Sequence, residues 1–145
     1  MFRDIIDRLR EIQVSKVYLM ADYGRNKNEI EQAEACRKAA EQAIDWNCEV
    51  IKNYATENRG VYGNIGKGAQ WVFQREEMAI FLEDDNLPEV TFFRYCDFIN
   101  IVITNKYCGF VELIIWVNII LEMEILICLP SICFLAVGHH GLLNL

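Results

Sequence analysis

Apolar residues recur at helix and strand spacing through the first half of the chain. In the opening segment they stand three and four positions apart with charged residues between them, namely Phe2, Ile5, Ile6, Leu9 and Ile12. This spacing predicts an amphipathic helix. The run 16–22, KVYLMAD, is short, apolar and rich in strand formers, so it predicts a strand that ends at Asp22. Residues 28–46 are dense in Ala, Glu, Gln and Lys around an apolar stripe, which predicts a long helix.

The same alternation continues toward residue 100. The expected elements are a strand at 48–55, a Gly-bearing loop at 56–64, a helix at 65–76, a strand at 78–82 and a helix or mixed segment at 89–103. In the third helix, Trp71 and Phe73 are expected to pack inward. The strands are continuous apolar runs, which is typical of a parallel sheet covered on both faces. The predicted fold class is therefore α/β with a Rossmann-like parallel sheet.

The composition changes near residue 105. Of the 14 Lys and Arg residues only Lys106 lies beyond that point, and residues 108–138 are almost wholly apolar. We therefore divide the chain into an α/β domain at 1–105 and a hydrophobic, helical or irregular tail at 106–145. Three glutamates interrupt the tail, which disfavours a membrane-spanning helix. A reading-frame shift near codon 105 is a second hypothesis for the tail, and the gene sequence there tests it.

Charge and cysteine usage exclude some functions and favour a cellular location. A net charge of -7 and a pI near 4.8 leave no basic stripe for nucleic acid. The six cysteines form no Cys-x-x-Cys motif, which indicates thiols in a reducing compartment. The first residues lack the apolar core of a secretory signal. The prediction is a cytoplasmic protein, with the inner face of the membrane as the alternative if residues 108–138 associate with lipid.

Two acidic features follow predicted strands. Glu83, Asp84 and Asp85 come directly after the strand at 78–82, and Asp22 ends the first strand. Adjacent carboxylates repel each other, so they require full solvation or a cation. A polar loop is the plain alternative. However, α/β sheets bind ligands at the carboxyl ends of their strands, where a divalent cation bridging a diphosphate requires carboxylates. The cluster therefore predicts a cation site.

The Gly-rich segment at 59–71, RGVYGNIGKGAQW, precedes a helix but matches neither standard phosphate motif. Gly68 follows Lys67 where a P-loop has Ser or Thr, and the glycine order reverses the dinucleotide fingerprint. A flexible loop is the plain interpretation. The amides at the helix N-terminus together with Lys67 are also able to hold an anion.

The segment 48–97 resembles the GT-A type nucleotide-sugar glycosyltransferases, in particular the family 2-like group of haemolysin-related sugar transferases. In that family a strand ends in an Asp followed by Gly and Arg, a loop carries Asn-x-Gly, a helix bears an aromatic pair, and a strand ends in LEDD with Pro and FFRYC soon after. The corresponding stretches here are ADYGR at 21–25, Asn58 with Gly60, Trp71 with Phe73, LEDDNLP at 82–88 and FFRYC at 92–96. The resemblance covers roughly residues 1–100.

The resemblance implies a role for each matched residue. Glu83 and Asp85 stand at the positions of an Asp-x-Asp motif, where Asp85 would bind Mn²⁺ or Mg²⁺ on the diphosphate and Glu83 would lie nearer the ribose. Asp84 belongs to the same nucleotide-sugar-binding set. Asp22 would receive the base edge of the nucleotide. The loop from Asn58 through Gly60 to Lys67 would cover it.

The resemblance further implies an incomplete enzyme. The family has a strand before the first helix and an acceptor-binding half after FFRYC, and this chain matches neither part. The expectation is a glycosyltransferase-like domain that binds a nucleotide-diphosphate sugar and a divalent metal. The sequence identifies neither its acceptor nor a catalytic residue. One alternative is a membrane-associated α/β binding protein anchored by its tail. The other is an α/β domain in which LEDD is only a solvated loop at the end of a strand.

Overall fold

The computed structural model describes residues 2–76, 79–82, 87–96 and 133–138. Within them the chain forms, in order, α1 (Phe2–Glu11), β1 (Lys16–Ala21), α2 (Lys27–Ala43), β2 (Glu49–Tyr54), α3 (Gly60–Phe73), β3 (Ala79–Leu82), α4 (residues 90–96) and β4 (Cys133–Gly138). The predicted α/β class is confirmed. The first two helices and first two strands lie within a few residues of their predicted bounds.

The four strands form one sheet in the order β2-β1-β4-β3. β1 and β2 pair in parallel, from Lys16 opposite Glu49 to Ala21 opposite Tyr54. β4 runs antiparallel to both of its neighbours, β1 and β3. β3 therefore points the same way as β1 without pairing with it. This corrects the prediction of an all-parallel sheet, because an apolar run indicates burial on both faces but not which strand lies alongside.

Residues 133–138 form the strand β4, which corrects the expectation of helical or irregular structure for that part of the tail alone. Its six residues belong to the hydrophobic tail and lie inside the sheet, between β1 and β3. An antiparallel strand can be contributed from any distance along the sequence, provided that the connection is long enough. The other residues of the predicted tail lie outside the described part of the chain. In that described part, every helix is too short or too polar to cross a bilayer.

β1 is buried because helices cover both of its faces. Alternate side chains of a strand point to opposite faces. Val17 and Leu19 pack in a cluster with α1, α2 and α4, and Tyr18 and Met20 pack in a second cluster with Val72 of α3. By contrast, β2 forms an edge of the sheet and its side chains are exposed or half-buried. A polar side chain at the end of β1 is therefore attached to a well-packed strand and held in a fixed position.

α1 confirms the amphipathic helix predicted from residue spacing. Ile5, Ile6 and Leu9 are at most 2% exposed and contact the same cluster as β1 and Leu82 of β3. Burying each of these side chains contributes about 1.5–3 kcal/mol relative to leaving it in water. α1 consequently belongs to the core on the α2 side of the sheet.

α3 begins five residues earlier than predicted, at Gly60 instead of residue 65. Its buried stripe is Asn64, Gly68 and Val72, which recur every four residues and face the sheet. A Cβ on Gly68 would lie 2.8 Å from the Met20 sulfur, so the glycine allows the helix to approach β1 closely. Phe73 is one position off this stripe and 38% exposed, so the prediction that it packs inward is wrong.

A polar cluster closes the amino-terminal end of β1. Glu76 is buried and accepts hydrogen bonds from the Tyr18 hydroxyl and from Lys16 Nζ at 3.0 Å. The hydrogen bond to Glu76 raises the pKa of Lys16. Burial first, and then the Glu76 carboxylate, raise the pKa of the Tyr18 phenol. The cluster anchors the residues that follow α3 to β1.

Replacing Glu76 with glutamine is expected to lower the free energy of unfolding by about 1–3 kcal/mol, since the hydrogen bonds to the buried carboxylate are charge-assisted. Glu49 provides a matched control, because it pairs with the same lysine at 3.5 Å but its side chain is 62% exposed against 6% for Glu76. Glu49→Gln should change stability by no more than about 0.5 kcal/mol. Urea denaturation at pH 7 measures both, and equal losses would contradict the assigned burial.

Candidate functional site

The candidate site lies at the carboxyl ends of β1 and β2. These two strands are parallel, so their ends meet at one edge of the sheet. The pairing extends one residue past the strands, where Ala55 N donates to Ala21 O at 2.9 Å. Asp22 follows β1 directly, and the segment from Ala55 to Arg59 links β2 to α3. α/β sheets commonly bind ligands at this edge.

The Asp22 carboxylate joins the two segments at this edge. The residue is 9% exposed. Its Oδ1 accepts hydrogen bonds from two backbone amides, Tyr23 N and Arg59 N, each at 2.8 Å. Its Oδ2 accepts a long hydrogen bond, 3.4 Å, from Asn58 Nδ2. Oδ1 is therefore used by two backbone amides, whereas Oδ2 accepts only one long hydrogen bond among the described contacts and is able to accept from a further donor.

Asn58 makes a second contact across the same gap. Its Nδ2 donates to Tyr23 O at 2.6 Å, and its side chain is otherwise exposed. Two residues later, Gly60 has a φ of +67°, a left-handed conformation that glycine adopts without strain, and a Cβ there would meet nothing. The three residues Asp22, Asn58 and Gly60, selected from the sequence, thus come together at one edge of the sheet.

Asp22 also supplies the cap that α3 lacks. Arg59 is the N-cap residue of α3, and its side chain makes no capping hydrogen bond. The Arg59 amide instead donates to Asp22 from the neighbouring strand. A carboxylate beside a helix N-terminus is stabilised by the helix dipole, typically by about 0.3–1 kcal/mol. The Asp22 carboxylate therefore orients the start of α3 as well as the end of β1.

The turn after Asp22 packs tightly on the first turn of α2. A Cβ on Gly24 would lie 2.5 Å from the Glu29 carbonyl carbon and closer still to the Ile30 nitrogen. Asn26 caps the helix by accepting from Glu29 N at 3.0 Å. Arg25 donates from its side chain to both Glu29 carboxylate oxygens, which lowers the pKa of Glu29. The glycine in the ADYGR stretch is thus required by contact with α2.

Arg37 of α2 is a part of the site that the sequence analysis missed. Its Nη2 donates to Asp22 O and Ala55 O, both at 2.9 Å, and more weakly to Ala21 O at 3.5 Å. A sequence signal existed, because Arg37 lies four residues after buried Ala33 and three before buried Ala40. A charge on the apolar stripe of a helix indicates buried polar partners.

The remaining predicted site residues are not brought to this edge by any described contact. Lys67 is exposed on α3, seven residues after Gly60, which corresponds to about 10 Å along the helix axis. Glu83, Asp84 and Asp85 lie outside the described residues. Among the residues that are described, no group of three or more potential ligands is arranged to hold a metal ion. The acidic cluster and its Mn²⁺ or Mg²⁺ therefore stay predictions.

Comparison of the chain with protein-family models, with curated proteins and with solved structures found no match.

Proposed function

We propose that the α/β part of this chain binds a nucleotide-diphosphate sugar, with a divalent cation on the diphosphate, as a glycosyltransferase-like domain with a Rossmann-like nucleotide-binding half. The observation that carries the proposal is that the Asp22 carboxylate accepts hydrogen bonds from Asn58 and from the Arg59 amide at the start of α3. Asp22 and Asn58 lie 36 positions apart in sequence. The resemblance to the glycosyltransferases implies a nucleotide-binding role for the same two residues, Asp22 and Asn58.

The chemistry of this edge suits a nucleotide. Asp22 Oδ2 is a charged acceptor with capacity for an N–H donor, and nucleobases present such donors on their pairing edges. Asn58 is exposed beside it; its Nδ2 donates to Asp22 and Tyr23, and its Oδ1 is an acceptor that a ligand donor could use. The N-terminus of α3 begins at the same place and favours negative charge. The base would lie against Asp22, and the diphosphate would extend toward the acidic residues that follow β3.

The metal is assigned by the donor type expected at that position. Asp85 and Glu83 follow β3, which points in the same direction as β1. Carboxylates at a strand end, together with phosphate oxygens, are the ligands that Mg²⁺ and Mn²⁺ bind in nucleotide sites. When bound, the cation would neutralise charge on a departing nucleoside diphosphate. The role of this chain's own residues in the proposal is to bind and orient the donor.

Thermal denaturation of the full chain with uridine diphosphate glucose or guanosine diphosphate mannose, with and without MnCl₂, tests the proposal. One of the two probes is expected to raise the Tm in a Mn²⁺-dependent manner. At a ligand concentration 100 times the Kd the stabilisation is about 2.7 kcal/mol. At roughly 3 °C per kcal/mol for a chain of this size, that corresponds to about 8 °C.

Two variants and one control locate the response. Asp85→Asn should remove the Mn²⁺-dependent part, and Asn58→Ala should weaken the response to the nucleotide itself. Asp45→Asn is the control, since Asp45 is an exposed carboxylate that pairs with Arg10 away from the edge described above. It should leave the ligand-induced shift unchanged. Absence of any shift, or a Mn²⁺-dependent shift that survives Asp85→Asn, would refute the proposed site.

A further inference from the structure

Arg37 contacts the end of β1 from the face opposite to the Asp22 side chain. Along β1, Val17 and Leu19 face the cluster that contains Ala40 of α2, and Tyr18 and Met20 face α3. Continued alternation places the Asp22 side chain on the α3 face. Arg37 extends from α2 on the other face and donates to the Asp22 carbonyl. The main chain at the strand end therefore lies between a guanidinium and a carboxylate.

The peptide group that links Asp22 to Tyr23 is bonded at both ends to charged groups. Its carbonyl oxygen accepts from Arg37 Nη2 at 2.9 Å, and its N–H donates to the Asp22 carboxylate at 2.8 Å. Charges of opposite sign at the two ends of one peptide dipole strengthen both hydrogen bonds. Arg37 and Asp22 are thereby coupled through the backbone, although their side chains make no described contact with each other.

The same guanidinium also holds the second segment of the site. Ala55 O accepts from Arg37 Nη2 at 2.9 Å, and Ala55 begins the segment that carries Asn58 and Arg59. The Arg37 guanidinium lies 4.8 Å from the ring centroid of Tyr54 and 5.9 Å from that of Tyr23. These two aromatic residues precede Ala55 and follow Asp22. One planar cation is thus placed against the residues at both strand ends.

The guanidinium is held in place despite an unfavourable feature. Its Nε is buried and has no hydrogen-bond partner in the described part of the chain. A buried donor without an acceptor is destabilising. An arginine at this place on the apolar stripe of α2 is explained if its function is to hold the Nη2 donor against the Asp22 and Ala55 carbonyls.

We propose that Arg37 is the positioning residue of the candidate site. It fixes the Asp22–Tyr23 peptide and the start of the 55–59 segment, and through them it sets the Asp22 carboxylate and Asn58 for a nucleotide. The ligand part of this inference rests on the function proposed above. The positioning part concerns the protein alone and is measurable without ligand.

Amide hydrogen exchange in the full-length chain tests the positioning role. The probes are the Tyr23 and Arg59 amides, which donate to Asp22, and the Leu9 amide in α1 serves as an internal reference. Arg37→Met should speed exchange at Tyr23 and Arg59 by about tenfold or more relative to Leu9, because hydrogen bonds to a charged donor are lost. Arg37→Lys retains the charge but not the planar group, and should give a smaller increase in the same direction.

Glu76→Gln is the matched control, since it disturbs a buried charged group at the opposite end of β1. It should speed exchange without selectivity for Tyr23 and Arg59. Unchanged relative exchange at Arg59 in Arg37→Met would overturn the inference, and so would an equal acceleration at Leu9. If Arg37→Met does not fold, the same comparison is made with Arg37→Lys. The inference is then overturned if Arg37→Lys does not selectively speed exchange at Tyr23 and Arg59.

Ligand affinity separates this inference from the proposed function. With whichever of the two nucleotide-sugar probes binds, Arg37→Met should weaken binding by about tenfold or more, whereas Glu76→Gln should retain the Kd. Binding by the unaltered chain together with an unchanged Kd in Arg37→Met would refute positioning for the ligand. If the unaltered chain binds neither probe, the proposed function fails, and the exchange data still decide the role of Arg37.

Discussion

Asp22→Ala is expected to lower the free energy of unfolding by about 3–4 kcal/mol. The substitution leaves the amides of Tyr23 and Arg59 without the carboxylate that both of them contact at 2.8 Å. Each hydrogen bond to a charged group contributes about 1.5–3 kcal/mol, and an unsatisfied buried donor costs about 1–3 kcal/mol. Loss of the charge beside the N-terminus of α3 adds to the effect. Urea denaturation followed by circular dichroism measures the change.

Asp22→Asn separates the contribution of the side-chain charge to the free energy of unfolding from that of its shape. The asparagine oxygen is still able to accept from both amides, so about half of the loss should be recovered. Asp45→Ala serves as the exposed control, because Asp45 bonds only to the side chain of Arg10 among its described side-chain contacts. A loss for Asp22→Ala no larger than that for Asp45→Ala would contradict the assigned network.

Gly24→Ala is expected to destabilise the protein by about 3 kcal/mol, at the upper end of the usual cost of overpacking. The added methyl group would lie 2.5 Å from the Glu29 carbonyl carbon and 2.8 Å from its Cβ. Most of these neighbours are backbone atoms of a capped helix turn and are unable to move independently. The Tyr23–Asn26 turn would separate from α2. A decrease in Tm of roughly 10 °C is the expected measurement.

Gly66→Ala is the matched control for this prediction. Gly66 lies inside α3, and a Cβ at that position meets no atom within 4 Å. Alanine is a better helix former than glycine by about 1 kcal/mol, so this substitution should raise the Tm. Similar Tm values for the two variants would show that the turn does not pack on α2 as described.

The two substitutions affect the candidate site through different groups. Asp22→Ala removes a group proposed to contact the nucleotide, so loss of binding would not separate structure from function. Gly24→Ala leaves Asp22 and Asn58 unaltered and displaces only the turn between them and α2. A Gly24→Ala protein that still folds should therefore bind a nucleotide sugar more weakly, because the Tyr23 carbonyl that Asn58 contacts would move.

The secondary structure of the first 76 residues was largely predictable from local pattern. The spacing of Ile5, Ile6 and Leu9 and the apolar run at 16–22 are signals of short range, and the structure places a helix and a strand there. The start of α3 was missed because glycines at 60 and 63 indicate a loop. Here the Arg59 amide is held by Asp22, which follows β1 and lies 37 positions earlier in the sequence, so no local pattern includes it.

The site was predictable in part for the same reason. Asp22 was found because polar residues at strand ends are conspicuous, and Asn58 because of the resemblance. Arg37 was not found, since the main-chain carbonyls that it bonds to are not visible in the sequence and its place between buried Ala33 and Ala40 was the one local signal. The placement of the acidic residues 83–85 against this edge remains a prediction.

The sequence by itself determined the α/β class, the helix and strand order from α1 to β3 and the type of residue that ends β1. Those properties follow from side-chain periodicity and strand propensity within a few consecutive residues. Only the tertiary structure decided that β4 lies antiparallel between β1 and β3, and that one carboxylate and one guanidinium hold the ends of β1 and β2 from opposite faces. Such arrangements depend on which distant segments pack together, and that is a property of the folded chain as a whole.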